Sequence, residues 1–156
     1  MLIKLVVALV VCLSFLHLSV QVEAATVCPP ANAISPCDCG RGRDETTTSV
    51  VCTSQHLTDS QTSAILDAYL ATPNVSPVGG IDLYNNLLTR VPVQVKSFTQ
   101  LQFVNFDDNS ITSIESGAFN LADAANPLSF LDLGFNQLTT IAPGAFKGFH
   151  FPFRKI

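Results

Sequence analysis

Few residues in this 156-residue chain are of the types that do chemistry, and their spacing narrows the options further. Carboxylates concentrate at Asp82, Asp107, Asp108 and Asp132, with Asn105 between them. A pair of carboxylates on one surface could share acid and base work on a glycosidic bond, and three could gather a Ca²⁺ ion. Five cysteines stand at Cys12, Cys28, Cys37, Cys39 and Cys52, and three histidines at His17, His56 and His150. Thiolates that hold zinc come in pairs with two to four residues between them, and Cys37-Asp38-Cys39 has only one. There is no G-x-S-x-G, phosphate-binding loop or H-E-x-x-H to organise a nucleophile or a catalytic metal.

What positions these residues is read first at the start of the chain. Lys4 precedes an apolar run from Leu5 to about Leu18, and Val22-Glu23-Ala24 supplies small residues before a cut. The run is short for a helix that spans a bilayer, so residues 1–24 read as a secretory signal peptide, removed together with Cys12 and His17. The remaining 132 residues suffice for one modest domain, exported and soluble, with no membrane span. In an oxidising compartment the four cysteines left, Cys28, Cys37, Cys39 and Cys52, read as two disulfides. Three pairings are open to them.

After the cysteines, Thr46 to Cys52 is rich in β-formers and predicts a strand, while Arg41 to Glu45 predicts a polar loop. Thr58 and Gln61 have the spacing of a capping box. Ala64, Ile65, Ala68 and Tyr69, with Leu66 and Leu70, continue at helical spacing until Pro73 ends the run. Asn74-Val75-Ser76 is the one glycosylation sequon after the leader, and Pro77 behind it works against modification.

The stretch from Leu101 to Phe146 states one phrase twice. Leu101, Val104, Phe106, Asn109, Ile111, Ile114, Ala118 and Phe119 are matched, offset for offset, by Leu128, Leu131, Leu133, Asn136, Leu138, Ile141, Ala145 and Phe146. A looser copy precedes it in Val78, Ile81, Leu83, Asn86, Leu88, Val91 and Phe98. Alternation in Leu131-Asp132-Leu133 describes a short half-buried strand, and Asn136 falls where the chain turns away and backbone groups need partners. Leu138, Ile141, Ala145 and Phe146 then close the interior on the return path. One such unit cannot bury its apolar face alone, so neighbours must stack.

These segments resemble the L-x-x-L-x-L-x-x-N-x-L consensus of leucine-rich repeats; the intervals of 23 residues from Asn86 to Asn109 and 27 from Asn109 to Asn136 fall within that family's period. Cys28-Pro29-Pro30, Cys37-x-Cys39 and Cys52 resemble the N-terminal cap of its extracellular members, including arthropod secreted proteins such as the non-catalytic leucine-rich subunit of decapod shrimp luciferase. The resemblance implies an α/β fold: a short solenoid with a curved parallel sheet on its concave face and irregular or helical turns on its convex face. It implies disulfides Cys28 with Cys39 and Cys37 with Cys52, and a ladder of Asn86, Asn109 and Asn136. The organisation expected is a cysteine-rich cap over 25–57, a helical segment over 58–77, and about three repeats over 78–148, divided as 78–100, 101–127 and 128–148. A tail over 149–156 follows, without a second cap and with the look of a truncation.

If Ile81, Leu83, Val104, Phe106, Leu131 and Leu133 point inward, their neighbours face out. The candidate binding residues on that face are Asp82, Tyr84, Asn85, Phe103, Asn105, Asp107, Asp108, Phe130, Asp132 and Phe135, with Gly80 and Gly134 beside them. From Asp44 to Phe146 ten acidic residues meet only Arg90 and Lys96, which argues against nucleic acid and for a protein partner with a basic surface. The acid pair Asp82 and Asp132 lies on a flat face with no cleft to raise a pKa, so an enzyme is not expected, nor a cofactor or metal. The expected function is a secreted, non-catalytic protein-binding scaffold or recognition module. The alternative is innate-immune or matrix recognition of a glycan or microbial surface.

Overall fold

A computed structural model describes residues 26–43, 46–121 and 128–147. The expected leader, Glu45 and Asp44, residues 122–127 of the longer interval, and the tail with His150 lie outside the described residues. The fold is mixed α/β, built on a mostly parallel sheet. It begins with one turn of helix, α1 (Ala31–Ile34), and a hairpin of β1 (Asp38–Arg41) and β2 (Thr48–Val51). Helix α2 (Asp59–Ala71) follows, then β3 (Val78–Asp82), a 3₁₀ turn (Val93–Ser97), β4 (Phe103–Asn105), β5 (Ser113–Ile114), β6 (Phe130–Asp132) and β7 (Thr140–Ile141).

The main sheet runs β1-β2-β3-β4-β6, and only the β1–β2 pair is antiparallel. Register carries the sequence phrase directly into space: Ile81 stands beside Val104 and Val104 beside Leu131, while Asp82, Asn105 and Asp132 line up on the opposite side. A second, two-stranded parallel sheet pairs β5 with β7. The apolar members of the phrase form the core. Ile81, Leu83, Val104, Phe106, Leu101, Ile111 and Phe119 are fully buried, and Leu131 and Leu133 nearly so. Ile141 departs from expectation: it is 54% exposed, because β7 ends the stack and nothing among the described residues lies beyond it.

Helix α2 starts with Thr58, whose backbone N–H donates to Gln61 Oε1 at 3.0 Å, and both halves of the capping box are formed. The helix presses Ile65, Leu66 and Tyr69 into the core, where Tyr69 meets Phe98 edge-on at 6.1 Å. Its first residue also ties it to the sheet side, since Asp59 accepts from Thr89 N at 3.0 Å and pairs with Arg90 Nε at 3.6 Å.

Two disulfides, Cys28–Cys39 and Cys37–Cys52, staple α1, β1 and the end of β2 together, closing separations of 11 and 15 residues. The hairpin does more than sequence composition suggested. Strand β2 pairs in parallel with β3, so the stapled segment is continuous with the main sheet. This contact is close enough to require glycine. A Cβ on Gly79 would lie 2.2 Å from Thr47 Oγ1 and 2.7 Å from Thr47 Cβ, and one on Gly80 would lie 2.6 Å from Ser49 Oγ. Among the described residues no helix is long and apolar enough to cross a membrane.

Candidate functional site

The solvent-facing side of β3, β4 and β6 gathers most of the residues singled out above. Phe103 and Phe130 are direct neighbours across β4 and β6, and their rings stack at 4.8 Å with 13° between planes. Stacking leaves both half-buried, with edges to solvent. Tyr84 is exposed where the chain leaves β3, and Phe135, one position further along in its own segment after β6, is 86% exposed. Gly80 does not belong to this surface: it is buried, because Ser49 of β2 sits over it.

Asp82, Asn105 and Asp132 share a structural task that their common register explains. Each side-chain Oδ1 accepts from the backbone N–H two residues on: Tyr84 at 3.1 Å, Asp107 at 2.9 Å and Gly134 at 2.9 Å. These bonds shape the bend by which the chain leaves each strand. The next step of the bend needs a left-handed residue, and Asn85 (φ 53°), Asp108 (φ 56°) and Phe135 (φ 42°) take that conformation in turn. Asn and Asp tolerate it well; Phe does not.

One residue further, the three asparagines join neighbouring segments. Asn109 Oδ1 accepts from Leu88 N at 3.0 Å, while its amide donates to Leu83 O at 2.9 Å and Phe106 O at 3.0 Å. Asn136 repeats the pattern toward Ile111 N, Phe106 O and Leu133 O. Asn86 reaches back to the stapled segment, accepting from Leu57 N at 2.9 Å and Gln55 N at 3.2 Å and donating to Cys52 O at 2.8 Å. The hydrogen bonds of the three asparagines therefore run to backbone groups.

The carboxylates are unequal. Burial pushes the Asp82 carboxyl above its ordinary value, against hydrogen bonds from the Tyr84 backbone and the Asn105 side chain, which pull it down. The expectation that this face offers no burial therefore does not hold at Asp82, which stands beside Val51 of β2 in the sheet. Asp82 and Asp132 stay separated by the whole of β4, with Asn105 between. Asp107 and Asp132 meet instead across Gly134, whose missing side chain leaves room for both: a Cβ there would lie 2.8 Å from one Oδ1 and 3.1 Å from the other. Among the described residues no group of three or more His, Cys, Asp or Glu could hold a metal ion. His56 is exposed at φ 55°, and Asn74 of the sequon is exposed at φ 60°.

Sequence reasoning put Arg43 in a polar loop and did not place it on this face. Its guanidinium carbon lies 4.7 Å from the centroid of the Phe103 ring, placing a cation on a face read as acidic and aromatic. Sixty residues of chain separate the two, and no local pattern announces the contact. No protein-family model matches the chain.

Proposed function

We propose that this chain is an exported, leucine-rich-repeat-like solenoid whose concave sheet face binds a protein partner with a basic surface, and that it does no chemistry of its own. The repeated phrase, the parallel register and the asparagine bonds support the architecture, and the stapled β1–β2 hairpin serves as the cap on the open apolar end. Two disulfides and the lack of a membrane-crossing helix among the described residues fit an extracellular setting.

Phe135 is the observation that carries the binding reading. It is 86% exposed and holds φ 42°, a conformation its counterparts Asn85 and Asp108 adopt at lower cost. Against the described residues alone, a ring this exposed buries little apolar area on folding. A partner would bury more of it, since rigid aromatics beside polar groups are what anchor protein interfaces. Around it lie Tyr84, the Phe103–Phe130 pair, and the carboxylates of Asp107, Asp108 and Asp132, which complement positive charge. A photo-cross-linking phenylalanine analogue at position 135 should trap a partner, with yield falling as salt rises. The same analogue at Val93, 66% exposed but outside the sheet, should not. Equal trapping from both positions would refute the assignment of the face.

A further inference from the structure

Between the hairpin and the first two segments lies a depression of about 180 Å³, walled by Arg43, Ser49, Val51, Gly80, Asp82 and Phe103. Its parts suit a planar cation. Phe103 offers a ring face, held upright by Phe130 stacked on the β6 side. Gly80 lies beneath Ser49, whose side chain also borders the depression. Asp82 supplies a half-buried carboxylate with no ion-pair partner among the described residues. The Tyr84 backbone and the Asn105 side chain hydrogen-bond this carboxylate, but no ion pair among the described residues compensates its charge.

The Arg43 side chain shows what the ring accepts. Its guanidinium lies over Phe103, yet makes no ion pair with Asp82. The carboxylate is not needed for local structure either: Asn105 holds the matching place on β4 and makes the same bond to the backbone two residues on, without a charge. We infer that this depression binds the guanidinium group of an arginine side chain from the partner, with Asp82 as its acceptor, and that Arg43 occupies the ring in the partner's absence. The inference rests on reading the concave face as a binding surface. Arg43 and the incoming group compete for one face of Phe103, so the chain carries its own low-affinity occupant.

The test is a titration of the disulfide-intact chain with an acetylated, amidated Gly-Arg-Gly peptide, followed by amide NMR shifts, with the citrulline and lysine counterparts as controls. Shifts should centre on Gly80, Asp82 and Phe103. Arg43→Ala should tighten binding by about two- to fivefold, the worth of one exposed cation–π contact. Asp82→Asn, which keeps the acceptor for Tyr84 N, should weaken it about tenfold, as expected for a lost charge-assisted bond. The two variants move in opposite directions, so a general loss of folding cannot imitate the result. Citrulline binding as well as arginine, or no shift at these three residues, overturns the inference. If cross-linking from position 135 still traps a partner, the face reading survives that failure; if trapping is also lost or unselective, both fall together.

Discussion

Replacing Asn109 by alanine tests the physical basis of the fold at one side chain. Asn109 is 7% exposed and makes bonds on both sides of its own segment. The carbonyls it serves are doubly covered: Leu83 O also accepts from Asn86 Nδ2 at 3.1 Å, and Phe106 O from Asn136 Nδ2 at 2.9 Å. Truncation therefore strands chiefly one group, the N–H of fully buried Leu88, whose acceptor is Asn109 Oδ1. Leaving one buried donor unsatisfied costs about 1–3 kcal/mol. Asn86→Ala strands the buried Leu57 N and also removes the amide that donates to buried Cys52 O, so it should cost more than Asn109→Ala, while water can serve the part-buried Gln55 N. Asn136 sits half-buried at the end of the stack, where water can replace part of what is lost, so its truncation should cost least. Urea unfolding of the disulfide-intact chain, followed by far-ultraviolet circular dichroism, reads the three differences. The reasoning fails if Asn136→Ala is the most damaging of the three, or if Asn109→Ala leaves the unfolding midpoint in place.

Three further outcomes follow from the geometry. Gly79→Ala should destabilise by about 1–3 kcal/mol in the same urea assay, the usual cost of overpacking, because the new methyl meets the Thr47 Cβ and not merely a mobile side-chain end. Reduction of both disulfides should lower the melting temperature sharply, with Cys37–Cys52 the more important. It closes the longer loop and both its sulfurs are buried; a loop of that size is worth about 3 kcal/mol, so an unchanged melt under reductant would contradict its role as a staple. Asp82→Asn should raise stability slightly at neutral pH and lose that advantage in acid. The native carboxyl titrates above its unfolded value of 3.8, so its ionisation penalises the folded state as pH rises through that window; below it both states are protonated and the penalty is gone. Matched urea midpoints at pH 7 and pH 3 would show the change, and a variant less stable than the parent at pH 7 would show that the charge is structural.

Much of the core could be read from the chain because the interactions that build it are periodic. The apolar positions of 101–119 and 128–146 recur at fixed offsets, and a parallel sheet with one strand per period converts equal offsets into neighbours. Helix α2 was legible for a different reason: its capping box and Pro73 are local, and both of its ends lie within a few residues of the signals that set them. The even set of cysteines indicated two bridges, though not which thiols meet. Where a contact joins segments that share no period, the sequence is silent. Nothing near Thr48 announces that it will pair with Val78, nor anything near Arg43 that it will lie on Phe103. Ile141 was misread because the pattern assumes a neighbour on both sides, whereas β7 has one only toward β5.

The candidate site divides along the same line, and the division says which of its residues are free to recognise anything. Asp82, Asn105 and Asp132 occur at one offset in all three segments, a regularity that by itself signals a task common to each, and the bond to the backbone two residues on is that task. An amide performs it as well as a carboxylate. The asparagines at 86, 109 and 136 are likewise committed to backbone partners. Other positions differ from segment to segment: Tyr84, Asp107 and Gly134 at one offset, Asn85, Asp108 and Phe135 at the next, and Phe103 and Phe130 on β4 and β6 where β3 has the buried Gly80. If the face binds a partner as proposed, its specificity is to be sought in those differences, because a side chain that serves each segment alike is committed to the fold. Asp82 belongs to both groups. Its oxygen shapes a turn, but its charge does nothing that Asn105 shows to be necessary, and it lies half-buried within the same depression as an aromatic ring that already carries a guanidinium. A charge retained against burial, and not required by the fold, is where recognition of a cation would be found.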